Sequence, residues 1–430
     1  MTPDSTSSLD AWLSYISQQH TAEIVMGLDR VRAVWLRMGS PRAPINIVVG
    51  GTNGKGSTCA MLESILHIAG YKTGFFSSPH LRRYNERIRI AQIESDDAML
   101  STSFAAVEAA RISPSPIPLT YFEFSALSAL WCFAHTKTDM AILEVGLGGR
   151  LDAVNIVDAD VSIVTSVDLD HQQYLGDTVE QIGIEKAHIY RPGKPAIFAD
   201  TAIPQSVLDH AATIGARLHV LGRDYRLARL ENQWQFIGTI MDVPVARHSL
   251  PLPALRGSYQ LKNASAAIAA LSALSAQLPV SQNHIKRGLL EVAWPGRMQV
   301  LPGQPTVVLD VAHNPHAARA LDDALGSMAY FQNTFAVFGM RKDKDIRAVV
   351  SILKHRIDHW FIAGLGGERG TSSAELGALL TAEGIGNFSS YMSIAAAYAA
   401  AREKADQNDR ILAFGSFLTV SALIEITEQR

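Results

Sequence analysis

The sequence predicts an α/β protein: a P-loop, ATPase-like domain built on a mostly parallel sheet, with a small antiparallel section, and a smaller doubly wound α/β domain after it. Three observations carry this. Short, nearly continuous apolar runs alternate with helical patterns, as strands buried on both faces of a parallel sheet require. The segment INIVVGGTNGKGSTCAMLESIL, residues 45 to 66, runs from such a strand through a glycine turn into a helix. A proline- and glycine-rich break, WPGRMQVLPGQP, separates two series of alternating segments. A chain of 430 residues also exceeds one ordinary core.

In chain order, MTPDSTSSLDAWLSYI lacks a basic segment followed by an apolar one, and no apolar run is long enough to span a bilayer. A cytoplasmic protein is expected. INIVVG, KTGFFS, DMAILEVG, VSIVTSV and KPAIFA read as parallel strands, with helices such as TYFEFSALSALWCFAH and TVEQIGIEKAHIY between them. Cys59 and Cys132 fall on helices beside apolar neighbours and read as buried thiols. From about residue 217 to 250, RLHVLG, YRLARL, WQFIGT and VPVARHSL read as short antiparallel strands in hairpins. Helices are expected near 259–277 and 281–292, and the domain boundary places residues 1–296 in the first domain and 297–430 in the second. Beyond it TVVLDVAH, FAVFGM, HWFIAGL and RILAFGS alternate with helices near 315–327, 343–355, 372–383 and 393–406. The net charge of −3 gives no electrostatic reason to expect nucleic acid or an acidic membrane surface as partner.

Five clusters carry chemistry. In the glycine turn, Gly50, Gly51, Gly54 and Gly56 let successive N–H groups point at an anion, and Lys55 sits against the outer phosphates. Gly56 intervenes before Ser57, a departure from the general pattern in which the hydroxyl follows the lysine directly, and a plain glycine turn is the alternative. Glu144 ends a strand before GLGGRLDAVN and suits Mg²⁺, or simply caps a loop. Asp168, Asp170 and His171 end the next strand, and Lys186 follows on a helix where the residues alone give it no role. Gln260 and Asn263 open an alanine-rich helix, as caps or as ligands of a purine or phosphate. Asp310, His313 and Asn314 leave a buried strand before Pro315, suiting substrate binding, acid–base work or helix capping.

Taken together, GTNGKGS, SSPHL, TYFEF, ILEVGLGGRLDAVN, LDHQQYLG, IEKA, PGRMQV, LDVAHNPHA and GSFLTV resemble the ordered signature of the folylpolyglutamate synthases, including the bacterial bifunctional enzymes that are also dihydrofolate synthases, within the Mur ligase superfamily. The resemblance runs from Trp12 to Thr419, and Gly56 is the form this family uses. It implies an ATP-dependent amide ligase: ATP converts a carboxylate to an acyl phosphate, and the amine of L-glutamate displaces phosphate. One activity would join dihydropteroate to glutamate, and the other would extend tetrahydrofolate and its polyglutamates through γ-links.

Position by position, Thr52, Asn53, Gly54, Lys55, Gly56 and Ser57 resemble the family's ATP phosphate loop, and Asn263, Arg297 and Asp310 resemble further ATP contacts. Ser78 and Glu144 look like ligands of a first Mg²⁺ and His171 of a second, while Lys186 matches a lysine that members carry as a carbamate supporting the metals. Lys55, His171, Lys186, Asp310 and His313 form the implied catalytic set; Asp310, His313 and Ser416 match positions associated with glutamate binding and amine attack. Met26, Gly27, Leu28, Asp29 and Arg30, with Thr120, Tyr121, Phe122 and Glu123 and with Leu151, Asp152 and Ala153, resemble the dihydropteroate pocket, Phe122 stacking on the pterin and Asp152 accepting from its amino group. The resemblance further implies ATP between the two domains, two Mg²⁺ sites and a monomer without nucleic-acid or membrane partners. Departures occur at His188, where the family usually has glycine, and at Met26 and Asp29, where leucine and glutamate are more usual. Rival readings are a peptidoglycan Mur ligase, for which the fifty residues before the phosphate loop leave no room, a member restricted to polyglutamylation, and a non-catalytic nucleotide-binding module.

Overall fold

The computed structural model describes residues 2–4, 6–20 and 24–428. By internal contacts the chain forms two compact units, Met1–Ala254 with Leu261–Val292, and Leu255–Gln260 with Ala293–Arg430. The break at Val292/Ala293 falls just before the proline–glycine segment, where composition places a boundary. Membership of Leu255–Gln260 in the second unit has no compositional signal.

The first unit is organised by eight strands: β1 (Ile45–Gly50), β2 (Thr73–Phe76), β3 (Ile88–Ile90), β4 (Ile93–Glu94), β5 (Met140–Glu144), β6 (Val161–Val164), β7 (Pro195–Phe198) and β8 (Arg217–Val220). Their order is β4-β3-β2-β5-β1-β6-β7-β8. From β2 to β8 every pairing is parallel, and β3 and β4 extend one edge as an antiparallel hairpin. The buried run Ile47–Val49 occupies the middle of this sheet, and the phosphate-loop helix Lys55–Ile68 is buried along most of its length. That burial takes in Ser57, Thr58, Glu63 and Ser64 as well as the apolar side chains. Cys59 and Cys132 are buried and unpaired with each other.

One strand departs from expectation. RLHV is β8, which pairs parallel to β7 with Pro195 opposite Arg217, rather than joining an antiparallel hairpin. The helix Gln205–Ile214 supplies a full crossover between them, and a crossover returns the chain parallel. The next three segments do form an antiparallel sheet, in the order β11-β10-β9, from β9 (Tyr225–Arg229), β10 (Gln233–Ile240) and β11 (Val243–Pro251). Alternation holds it: Trp234, Phe236 and Ile240 of β10 are buried. Two N-terminal helices, Leu9–Ile16 and Asp29–Arg37, add layers that the sequence pattern did not announce.

The second unit carries β12 (Gln299–Leu301), β13 (Thr306–Leu309), β14 (Thr334–Phe338), β15 (His359–Ala363), β16 (Phe388–Tyr391) and β17 (Arg410–Phe414) in the order β12-β13-β17-β14-β15-β16. All pairings are parallel except that of β12, which forms within the proline–glycine break and runs antiparallel to β13. Helices Pro315–Gly326, Ile346–Leu353, Ser373–Ala382, Ile394–Lys404 and Phe417–Glu428 accompany the strands. Each begins at or within three residues of an expected start where one was expected, because Asn314, Asp345, Ser372 and Ser393 supply side-chain caps.

Candidate active site

The phosphate loop of the first unit leaves β1, the strand that lies between β5 and β6. Val49 pairs with Glu144 and Gly50 with Val164, so the loop, Glu144 and the exit of β6 share one carboxyl edge. That exit shapes the loop. Thr165 Oγ1 donates to Asn53 O at 2.6 Å, Asn53 N donates to Ser166 Oγ at 3.1 Å, and Thr52 N donates to Ser166 O at 2.8 Å. Thr52 Oγ1 also donates to Asp168 O at 3.1 Å. Gly51 has φ +141°, and a Cβ there would collide with Thr165 Oγ1; Gly54 has φ +89°, and its Cβ would lie 2.5 Å from Asn263 Oδ1. Glycine is thus required by both φ and space. Asn263, on the helix Gln260–Ala273, is thereby packed against the turn. Thr165 and Ser166 are functional residues that the sequence patterns do not mark, since a hydroxyl after a strand has many ordinary uses.

Lys55 Nζ donates to Gly51 O at 3.0 Å and Thr52 O at 3.3 Å, so the ammonium lies over the turn at the N-terminus of the following helix. Ser57 is buried in the first turn of the following helix. Ser78 sits on the loop after β2, the strand paired to the other side of β5. His171 has a left-handed backbone, φ +52°, and its Nε2 is 3.9 Å from Asp170 Oδ1. A non-glycine residue held there marks a constrained position.

Lys186 is buried on the helix Val179–Ala187. Burial, then the Lys55 ammonium, pushes its amine down to about 7, with Asp170 and Asp152 opposing. The Glu144 carboxylate and the Lys55 ammonium both act on the Cys59 thiol, which burial pushes up. The structure therefore brings Lys55, Glu144, Asp152, Asp170 and Lys186 into one electrostatic neighbourhood.

The three segments assigned to the pterin pocket meet at the loop after β5. Glu123 and Thr120 form a capping box, worth about 1 kcal/mol, on the helix Tyr121–His135. Arg30, in the helix that Asp29 opens, pairs with Glu123 Oε1 at 2.8 Å and donates to Val25 O at 3.0 Å. A Cβ at Gly146 would lie 2.7 Å from the Phe122 ring, and Met26 reaches to 3.5 Å from the corresponding position at Gly148. Phe122 also lies 5.7 Å from Phe76. Gly27 and Leu28 lead into the Asp29 helix, Tyr121 is the first residue of its own, and Leu151 and Ala153 flank Asp152. Asp152 is committed to the backbone: Oδ2 accepts from Gly146 N and Leu147 N at 3.0 and 2.9 Å, and Oδ1 accepts from Val154 N at 3.1 Å. Burial raises its carboxyl to about 6 despite these bonds.

In the second unit, Asp310, His313 and Ser416 lie at the adjacent carboxyl ends of β13 and β17. Asp310 accepts from Met298 N and Ala312 N, each at 2.8 Å, and burial raises its carboxyl to about 6. His313 Nδ1 is 2.8 Å from Val311 O, a carbonyl that can only accept, so Nδ1 carries a proton. The Phe417 ring lies 5.0 Å from the Arg297 guanidinium and 6.0 Å from the His313 ring. Ser416 Oγ accepts from Leu418 N at 3.2 Å. Phe417 is a third residue missed in the sequence; its place in GSFLTV is the signal that points to it.

The Mur ligase middle domain matches residues 49–271, and the Mur ligase glutamate ligase domain matches residues 296–417. The dihydrofolate synthase/folylpolyglutamate synthase of Escherichia coli is 44% identical over 430 residues, covering 100% of this chain and 98% of its own length. The chain belongs to this family. Its relatives are ATP-dependent ligases of the Mur type, and the fold agrees. An E. coli FolC structure in complex with DHPP and ADP superposes with a TM-score of 0.93 at 44% identity, covering 100% of both chains. A bifunctional folylpolyglutamate synthase/dihydrofolate synthase structure with Mn, AMPPNP and L-glutamate bound gives 0.90 at 42% identity, again over 100% of both. The family's two ligase modules thus cover the segments that carry the two residue sets.

Proposed function

We propose that this ligase joins L-glutamate to dihydropteroate, giving dihydrofolate, and then adds further glutamates to reduced folates, each time through an acyl phosphate made with ATP. The observation that carries the reading is the neighbourhood of Lys55, Glu144, Asp152, Asp170 and Lys186 at the carboxyl edge of the first sheet, beside a loop whose glycines admit no side chain. A carboxylate is a poor acyl donor, so activation needs a triphosphate held in place and charge stabilised on the transferring phosphoryl group. The loop N–H groups and Lys55 do this, Lys55 exchanging its loop carbonyls for phosphate oxygens.

Ser78, Glu144, His171 and Lys186 are the residues that would hold Mg²⁺. Among the described residues no group of three His, Cys, Asp or Glu side chains forms a ready cation site. The four named residues bring one carboxylate, that of Glu144, and such a set fits Mg²⁺, which is bound by one or two carboxylates while phosphates and water complete its shell. When bound, the metal neutralises charge on the phosphates. Lys186 suits carbamylation for a stated reason: with its amine near 7, a large share is neutral at physiological pH, and only the neutral amine attacks CO₂, losing a proton to give the carbamate.

Phe122 provides an aromatic face for the pterin, while Arg30, Thr120 and Glu123 position it by their mutual bonds. Asp152 accepts three backbone N–H bonds that shape the loop Phe122 packs on, and its carboxylate keeps acceptor capacity for the pterin amino group. In the second unit His313 can take a proton from the ammonium of the incoming glutamate, leaving the free amine that attacks the acyl phosphate, and Arg297 can meet phosphate. The same reading has the enzyme acting as a cytoplasmic monomer without nucleic-acid or membrane partners. Among the described residues no helix is long and apolar enough to cross a membrane.

The test is product formation by purified protein given dihydropteroate, L-glutamate, Mg²⁺ and ATP, with tetrahydrofolate run in parallel and products read by mass. Product in both reactions is expected. Product from tetrahydrofolate alone would reduce the enzyme to a polyglutamylating one, and product in neither would remove the ligase reading.

A further inference from the structure

The loop from Ser77 to Arg87 is built more rigidly than a connection between two strands requires. Ser77 N donates to Arg87 O at 3.0 Å and closes its base. Glu86 turns back to accept from Leu81 N at 2.7 Å, from Arg82 N at 2.7 Å and from Arg83 N at 2.9 Å. Within this frame stands His80, half-buried, two residues after Ser78. Arg87 Nε donates to His80 Nδ1 at 2.8 Å. A guanidinium has only donors and keeps its charge, so Nδ1 must be the unprotonated nitrogen and the ring's proton resides on Nε2.

Arg87 is itself fixed, its guanidinium 5.5 Å from the Tyr84 ring and 5.2 Å from the Tyr121 ring. Those rings meet edge-on at 5.9 Å, and His80 lies 6.2 Å from Tyr84. The arrangement sets one imidazole in one tautomer and one orientation, and among the described residues nothing accepts from its Nε2–H. A half-buried donor held in one tautomer and one orientation is pre-organised to meet an acceptor on a ligand. Position along the chain indicates which. Ser78 stands at the end assigned to metal and phosphate. Tyr121, on the other side of the cluster, immediately precedes Phe122 at the pterin end. The acyl group to be activated lies chemically between phosphate and pterin.

We infer that His80 is a further substrate-binding residue, its Nε2–H donating to a carboxylate oxygen of the acyl group that is activated, with Arg87 as the positioning residue that fixes its tautomer. The inference rests on the ligase reading above. It names the part of the substrate this side chain recognises: the carboxylate, neither the pterin ring nor the nucleotide.

The experiment compares wild type with His80→Ala, His80→Gln and Arg87→Met, each checked for an unchanged melting transition and ADP affinity. It measures the KM for dihydropteroate and for ATP, and equilibrium binding of dihydropteroate and of its decarboxylated analogue. His80→Ala is expected to weaken dihydropteroate about 10- to 100-fold and leave the KM for ATP unchanged, the size of effect seen when one partner of a charge-assisted hydrogen bond is removed. The decarboxylated analogue should bind wild type and His80→Ala alike. His80→Gln, which restores an N–H near the Nε2 position, should recover part of the loss, and Arg87→Met should reproduce part of it. Equal weakening of both ligands would make His80 a wall residue and overturn the inference, as would undiminished dihydropteroate binding by His80→Ala. Wild type that uses neither dihydropteroate nor tetrahydrofolate would instead fail the ligase reading, and this inference with it.

Discussion

Lys186 is where folding and function pull hardest against each other. Its amine is buried and held near 7, against an ordinary value of 10.5, so the unfolded chain binds a proton that the folded protein gives up. Stability is therefore lost as pH falls from about 10.5 to about 7, the range in which the unfolded chain holds the proton and the folded protein does not, and below about 7 the buried ammonium carries the full cost. Lys186→Met removes that cost while keeping the length of the side chain. We expect it to abolish ligation and yet, in bicarbonate-free buffer, to raise unfolding stability by roughly 1–4 kcal/mol at pH 6, the gain shrinking as pH rises toward 10. Urea titrations at several pH values check this, and a variant no more stable than wild type at pH 6 would contradict the burial argument. The role of this residue was not legible from the residues alone. A lysine on a helix is most often solvated, and only the family resemblance marked it. The charges around it, Lys55, Asp152 and Asp170, come from other segments of the chain, which no local pattern records.

At the scale of elements, the phosphate loop was legible because glycine spacing reports backbone geometry directly, whereas its supports were not. Thr165 and Ser166 act through single hydroxyls more than a hundred residues from the turn they shape. Gly51→Ala places a methyl against the Thr165 hydroxyl at a φ that alanine rarely adopts. A loss of at least tenfold in ATP affinity is expected, with a stability cost of about 2 kcal/mol or more, measured by calorimetric titration and by melting. Normal ATP affinity in this variant would mean that the turn is not the nucleotide cradle. In the second unit, the strand–helix alternation was legible but β12 was not. Three prolines and two glycines conceal a three-residue edge strand, which needs few ladder bonds and tolerates such neighbours. β8 was misread because its amphipathic texture suits an antiparallel hairpin equally well, and only the preceding crossover helix decides its direction. The exit of β17 offers its own test. Phe417 lies against both Arg297 and His313, so Phe417→Leu should lower kcat about tenfold by releasing both, while Phe417→Tyr retains most activity. An unimpaired leucine variant would show that the ring positions neither residue.

For the whole molecule, one family signature spans nearly the entire chain, with a single phosphate loop and a single glutamate ligase module. Two activities on such a chain must share their activation chemistry and differ only in the acyl donor. Dihydropteroate offers a carboxylate on an aromatic ring, and a folate offers the γ-carboxylate of a glutamate already attached, so the two place their pterins at different distances from the same phosphoryl group. Lys55→Ala and His171→Ala should therefore remove both activities together in well-folded protein, since each acts before the acyl donors diverge. Phe122→Ala, which strips the aromatic face from Gly146, should instead weaken dihydropteroate by about tenfold or more and affect tetrahydrofolate less. The decisive measurement is competition. With saturating ATP and glutamate, tetrahydrofolate should raise the apparent KM for dihydropteroate without lowering the maximum rate of dihydrofolate formation, because both carboxylates must occupy the position next to one triphosphate. Non-competitive inhibition would require two separate acyl sites, and a chain with one phosphate cradle provides no second place for activation.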